Sequence, residues 1–258
     1  MISKRIWQEN LKTTLNNRAP ILKLSIIIPV YNEDKLVPKV IEKLLTVNYT
    51  SHISSYEIVI VDDCSTDNTN AAISDFIRGK SNITLHRHEI NKGKGAAVKT
   101  GVENSTGDII VVQDADLELV PEDIPLLIST LADLKIEFVN GSRYMPGIIR
   151  PLYSYRRYYF NKIFTRLASV LINVRLTDLA CGYKLFTRNI YNQLKLREDR
   201  FGFEAEILIK VARLKKTLIA EVPVHYFPRN EGDGKKLRNV DGIKIFWVIL
   251  KYGLFRRD

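Results

Sequence analysis

Gly107-Asp108-Ile109-Ile110-Val111-Val112-Gln113-Asp114-Ala115-Asp116-Leu117 decides the fold. Four consecutive branched aliphatic residues, with no polar alternation, read as a strand over 108–113 covered on both faces. The run ends abruptly in two carboxylates one residue apart. Asp-x-Asp at a strand end puts acid at the carboxyl edge of a sheet, where open α/β sheets bind their ligands. Two hard oxygen ligands on one short loop suit Mg²⁺ or Mn²⁺, and such an ion ordinarily bridges to phosphate. A solvated turn after a strand also favours Asp, so the neighbouring segments must decide between the two readings.

Those neighbours alternate strand and helix patterns. Strands are expected at 24–30, 56–61, 83–87 and 136–140. Helices are expected at 35–47, from Asp67 as N-cap through 77, at 95–104, and from Pro121, whose first turn carries Glu122 and Asp123. Short apolar strands separated by helices predict an α/β fold with a mostly parallel, Rossmann-like sheet flanked by helices. In the second half, residues 156–175 read as a long amphipathic helix. Phe160, Ile163, Phe164, Leu167, Leu171 and Val174 share one face; Lys162, Arg166, Ser169 and Asn173 lie opposite. A strand at 183–186, a helix at 203–214, a strand at 218–222, a basic loop at 228–238 and a terminal amphipathic helix from about 241 complete the chain. The organisation expected is an N-terminal extension over 1–23, one catalytic domain over 24–230, and a basic loop with a helix over 231–258.

Three further segments converge on the expected sheet edge. Pro29-Val30-Tyr31-Asn32-Glu33 ends the first strand where a dinucleotide fold would carry Gly-x-Gly-x-x-Gly. That motif is absent, which argues against a nicotinamide or flavin enzyme. Tyr31 can lie flat on a base, and Asn32 and Glu33 can hydrogen-bond base or ribose; a plain helix-capping turn explains the pentapeptide equally well. Val61-Asp62-Asp63-Cys64-Ser65-Thr66-Asp67 ends the second strand, and Asp63 can accept hydrogen bonds from a uracil or guanine edge. Asn91-Lys92-Gly93-Lys94-Gly95 opens a helix, so its backbone can approach a phosphate at a positive helix terminus.

Ser25–Glu33, Val61–Asp67, Asn91–Ala97 and Gln113–Glu118, in that order, resemble the family 2 inverting glycosyltransferases of GT-A fold. Leu176–Phe186 (Leu-Thr-Asp-Leu-Ala-Cys-Gly-Tyr-Lys-Leu-Phe) and Arg200–Glu206 narrow the resemblance to the polyprenyl-phosphate sugar synthases. The dolichyl-phosphate glucosyltransferase group is the most similar. The resemblance implies that Pro29, Tyr31, Glu33, Val61 and Asp63 hold the nucleotide, and that Asp114, Ala115 and Asp116 form the metal and pyrophosphate site with Glu118 beside the metal. It also implies that Arg143 and Arg229 contact phosphates. The donor expected is UDP-glucose first and GDP-mannose second. The acceptor expected is a polyprenyl phosphate. Processive polysaccharide synthases carry Gln-x-x-Arg-Trp, which is absent here, so polymer synthesis is not expected.

Charge points the same way. Of a formal net charge of +10, residues 138–177 carry seven Lys and Arg with no acid, and residues 234–258 carry seven more against Asp241 and Asp258. Localised positive charge implies an anionic partner. With no run near the ~18 apolar residues of a membrane span, the expectation is a cytoplasmic protein peripheral on the inner membrane face. There the 156–175 helix would lie in anionic headgroups. The terminal helix is left between membrane contact and a homo-oligomer. Two cysteines make no disulfide framework or zinc site.

For the chemistry, a lipid phosphate is already anionic and needs no base, whereas a hydroxyl acceptor does. Glu204 and Glu206 are the candidate bases, with Glu206 read as structural. A hydroxyl acceptor on the same fold is the second reading. A basic nucleic-acid-binding protein and a nucleotidyltransferase are the third and fourth, and nucleic acid is not expected as a partner because no such motif appears.

Overall fold

A computed structural model describes residues 22–50, 52–149, 151, 154–214, 218–229 and 239–255. Expectations for residues 1–21, for Arg150, for most of the basic loop and for Arg256 and Arg257 lie outside the described residues.

The chain runs β1 (Leu22–Val30), α1 (Val37–Thr46), β2 (Ile53–Asp62), α2 (Thr69–Ile77), β3 (Ile83–Arg87), α3 (Lys94–Glu103), β4 (Ile109–Val112), a 3₁₀ turn (Pro121–Asp123), α4 (Ile124–Leu134) and β5 (Phe138–Ser142). There follow α5 (Tyr155–Ile172), β6 (Lys184–Thr187), α6 (Arg188–Asn192), α7 (Phe203–Leu214), β7 (Ile219–Pro223) and α8 (Asn239–Gly253). Seven strands form one sheet in the order β3-β2-β1-β4-β6-β5-β7. β1, β2, β3 and β4 are mutually parallel, as are β5 and β7. β6 is antiparallel to both of its neighbours.

The β-branched runs bury both faces, and the period of two sorts them. Leu24, Ile26, Ile28, Ile58, Ile60, Ile109 and Val111 face one core with α1, α2 and α4. Ile27, Val59, Val61, Ile110 and Val112 face the other, with α3, α7 and part of α8. Ile245, Val248, Ile249 and Tyr252 of α8 are buried in this second core, so the terminal helix is built into the fold on one side. Its other side exposes Ile243 and Trp247.

α5 buries a stripe other than its largest apolar one. Its buried stripe is Asn161, Thr165, Ala168 and Ile172, because Asn161 and Thr165 satisfy polar groups beneath it. Asn161 Nδ2 donates to Asp178 Oδ1 at 3.0 Å, and Thr165 Oγ1 accepts from Leu179 N at 3.0 Å. The larger apolar stripe is only partly covered, and Phe160 and Ile163 stand exposed. Among the described residues no helix is long and apolar enough to cross a membrane.

Candidate active site

Register sets the site. Pro29 pairs with Val61, Val30 with Asp62, and Ile27 with Val112, so β1 and β2 end level and β4 stops three residues short of them at the same carboxyl edge. Each strand then turns through a left-handed residue, at Asn32 (φ 51°), Cys64 (φ 64°) and Leu117 (φ 57°). Such backbone costs a non-glycine residue roughly 1–2 kcal/mol and is typical of ligand-binding turns.

The Asp-x-Asp loop is braced from behind. Gln113 Nε2 donates to Asp114 O at 3.0 Å and to Leu119 O at 3.3 Å, closing the loop across its base. Tyr183 OH lies 2.6 Å from both Gln113 Oε1 and Val120 O. Burial holds this phenol well above its ordinary pKa, so it remains a donor. Gly182 forms the wall beside Asp114, where a Cβ would come within 2.1 Å of Asp114 Oδ2. The 178–182 segment is itself pinned by Lys184, buried in β6, whose Nζ donates to Cys181 O at 2.5 Å.

Two cations thread the acids together. Lys94 Nζ, at the start of α3, sits 2.6 Å from Asp114 Oδ1 and 2.7 Å from Glu204 Oε1 at the start of α7. Those two carboxylates raise its pKa against the burial that lowers it. The Arg229 guanidinium forks onto both oxygens of Glu33 at 3.1 Å and reaches Asp116 Oδ2 at 3.1 Å. Burial, then the charges of Asp114 and Glu118, push Asp116 up to about 6, with Arg229 pulling the other way. Glu204 Oε2 is buried with no hydrogen-bond partner.

The segment bearing Arg229 lies along the acidic loop. Leu119 bridges Tyr226, and Phe227 N donates to Glu118 O at 2.8 Å. His225 N and Nδ1 hold Asp123 at 2.6 and 2.8 Å. Glu118 receives Tyr226 OH and Arg229 N, both at 3.0 Å.

Several expected roles need correction. Glu118 has both oxygens engaged by the 226–229 segment, and among the described residues no three His, Cys, Asp or Glu side chains form a ready metal cage. Asp114 and Asp116 remain the oxygen pair that fits Mg²⁺ or Mn²⁺, with further ligands left to a diphosphate. Asp63 links the second strand's turn to the 88–93 segment. It is buried and spends its carboxylate on His88 Nδ1 (2.7 Å), Lys92 N (2.8 Å) and Gly93 N (2.7 Å). The Lys92 and Gly93 amides therefore both donate to Asp63. Gly93 (φ 103°) packs on Asp199, where a Cβ would meet Asp199 O at 2.5 Å. Val61 and Ala115 are buried side chains. Asn32 Oδ1 accepts from Thr66 N at 2.8 Å, tying the first two turns together. Arg143 is clamped by Asp178 at 2.7 and 3.0 Å and by Ala180 O at 3.1 Å. Glu206 is structural: it accepts from Arg197 N and Glu198 N and pairs with Lys210 at 3.1 Å. Pro29 and Tyr31 are half-buried at the edge, and Lys92 is exposed.

The sequence reading missed the Lys94 bridge, the Gln113–Tyr183 brace and the tether formed by His225 and Tyr226. Only the last left a local signal, the aromatic cluster directly before Arg229.

Comparisons with known proteins find similar chains. The family profile described as Glycosyl transferase family 2 matches residues 25–195. The dolichyl-phosphate beta-glucosyltransferase ALG5D of Trichomonas vaginalis is 30% identical over 252 residues, covering 92% of this chain and 75% of that protein. ALG5A of the same organism is 31% identical, covering 91% and 74%. Among solved structures, glucosyl-3-phosphoglycerate synthase from Mycobacterium tuberculosis, in complex with Mn²⁺, UDP and glucosyl-3-phosphoglycerate, superposes with a TM-score of 0.67 at 20% identity. It covers 89% of this chain and 79% of that one. Its UDP complex gives 0.69 at 18% identity, covering 90% and 80%. These neighbours share the GT-A fold.

Proposed function

The chain belongs to glycosyl transferase family 2, and from that premise we propose that it transfers glucose from UDP-glucose to a polyprenyl phosphate, with inversion at the anomeric carbon. The observation that carries this reading is the pairing of the Asp114–Asp116 loop with Lys94 and Arg229 at the carboxyl edge of the sheet. Such a site suits a diphosphate bridged to a divalent ion. The names of the relatives support glucose and a dolichyl-type acceptor. The neighbour's complexes support UDP and Mn²⁺.

Asp114 and Asp116 would hold the divalent ion, which supplies neutralisation of charge on the departing diphosphate. Arg229 offers a planar fork matched to phosphate oxygens. Lys94 offers a compact charge beside it. Tyr31, half-buried at the end of β1, is a surface for the uracil. The acceptor's phosphate oxygen is an anion near neutral pH, so no protein base has to take a proton from it. The site's contribution is then alignment and charge stabilisation.

A second reading has a specific observation behind it. Glu204 Oε2 is buried and unpartnered, as a base for a hydroxyl acceptor would be.

The proposal extends to peripheral membrane contact. α5 exposes Tyr155, Tyr159, Phe160, Ile163 and Val170. Beside them a cleft of about 360 Å³ is lined by Lys162, Arg166 and Arg175. Exposed aromatics next to cations suit an anionic headgroup layer.

The deciding experiment incubates the protein with UDP-glucose or GDP-mannose, Mn²⁺ or Mg²⁺, and polyprenyl phosphate in detergent. Release of UDP with appearance of a glucosylated lipid phosphate is the expected result. UDP release only with a hydroxyl acceptor would favour the second reading, and no turnover with either donor would defeat both.

A further inference from the structure

We infer that Arg229 and Lys94 are resident counter-cations of the acidic pair, given up to a divalent ion only when a donor diphosphate offers them replacement oxygens. The inference rests on the nucleotide-sugar reading above and concerns the order in which that site is filled.

Each aspartate of the pair is held by one cation, and each cation ties it to a second carboxylate. Arg229 joins Asp116 to Glu33 at the end of β1, with two parallel contacts of 3.1 Å on Glu33 and one of 3.1 Å on Asp116. Lys94 joins Asp114 to Glu204 at the start of α7, at 2.6 and 2.7 Å. Both cationic side chains are largely covered, 15% and 17% exposed. Breaking an ion pair in such surroundings leaves a desolvated charge without its partner, which costs far more than separating a surface pair.

A free divalent ion competing for Asp114 and Asp116 must draw those carboxylates away from both cations, which each lose one anionic partner. A diphosphate changes that balance. Its oxygens can accept from the guanidinium fork and from the ammonium, so the cations are re-partnered as the carboxylates turn to the ion. Metal and diphosphate then bind with positive coupling, and the factor is the same read from either side. Cations that merely neutralised surplus acid would also repel a divalent ion, so their removal would raise metal affinity too but leave the effect of UDP intact; loss of that coupling is what marks re-partnering.

The test is titration calorimetry of Mn²⁺ into the full-length protein with and without saturating UDP, repeated with GDP, for wild type, Arg229→Gln, Lys94→Gln and the charge-conserving Arg229→Lys. Wild type should bind Mn²⁺ alone weakly, and UDP should tighten it by at least about fivefold. Arg229→Gln and Lys94→Gln should bind Mn²⁺ alone several-fold more tightly than wild type, with the UDP effect reduced. Arg229→Lys should stay close to wild type. Glutamine variants that bind Mn²⁺ alone no better than wild type, or that keep the effect of UDP intact, would overturn the inference. Should those variants melt below the assay temperature, wild type decides: equal Mn²⁺ affinity with and without UDP or GDP overturns it equally. A wild type that shows the coupling yet passes no glucose to polyprenyl phosphate would defeat the proposed function and leave this inference standing. A protein that transfers glucose without any coupling would do the reverse.

Discussion

Gly182 lies directly against the carboxylate of Asp114: a Cβ at this position would stand 2.1 Å from Oδ2 and 3.0 Å from the carboxyl carbon. Neither side can give way cheaply, since Asp114 is held by Lys94 and its loop by Gln113. Gly182→Ala is expected to displace the acidic loop while the remaining sheet stays folded. A shift of about 1 Å at a reacting centre can cost roughly a hundredfold in rate. Turnover should fall by that order with a modest change in melting temperature; unchanged turnover would contradict the assigned role of Asp114.

Tyr183→Phe removes the hydroxyl that lies against Gln113 and Val120. An orphaned buried acceptor costs about 1–3 kcal/mol, so thermal unfolding should show a loss in that range. Donor affinity should weaken too, because Gln113 carries the loop. A variant with wild-type stability and wild-type UDP binding would show that the brace is idle.

Asp178→Asn tests the clamp on Arg143. The Arg143 charge, with its hydrogen bonds, outweighs burial and holds the Asp178 carboxyl below its ordinary value of 3.8. A carboxylate lowered in the folded state contributes stability above its unfolded pKa and loses it as pH falls through the folded one. Replacing Asp178 leaves a buried guanidinium without its counter-charge, which costs about 3–5 kcal/mol. The gap between wild type and variant should be constant from neutral pH down to about 4 and close only below that. A gap that closes between pH 7 and 5 would refute this account.

Glu204→Gln separates the two acceptor readings. The amide oxygen can still accept from Lys94, so the architecture is kept. With a phosphate acceptor, turnover should stay within a few-fold of wild type. Loss of a general base for a hydroxyl acceptor costs about 10²–10⁴-fold, which would favour the second reading.

Tyr159→Ser with Phe160→Ser addresses the exposed face of α5. Both side chains are about half exposed (51% and 55%), so stability should change by no more than about 0.5 kcal/mol per substitution. Flotation with anionic vesicles should be lost, while turnover on a short, detergent-soluble acceptor persists. Vesicle binding equal to wild type would exclude this face as the contact.

The strands of the first half were legible because continuous aliphatic runs leave little ambiguity, although β2 begins earlier than expected, at Ile53. The helix expected from Pro121 opens as a 3₁₀ turn before α4, and α6 carries no amphipathic signal in its five residues. The direction of β6 could not be read, since alternation encodes faces and not polarity. At the site, local spacing pointed to the acids but not to their partners. Lys94 and Glu204 lie far apart in sequence and meet only because α3 and α7 share one core. Asp63 looked available because nothing local shows that its oxygens close on the Lys92 and Gly93 amides.

The antiparallel strand has a consequence for biosynthesis. β4 and β5 never touch; each bonds to β6, which emerges from the ribosome after both. Until Lys184–Thr187 is in place, the facing borders of β4 and β5 stay bare, and β5 also waits for β7 on its other side; bare borders invite intermolecular pairing. Fragments that stop short of Thr187 should therefore precipitate during expression, and a chaperone that shields those borders would matter most in that interval.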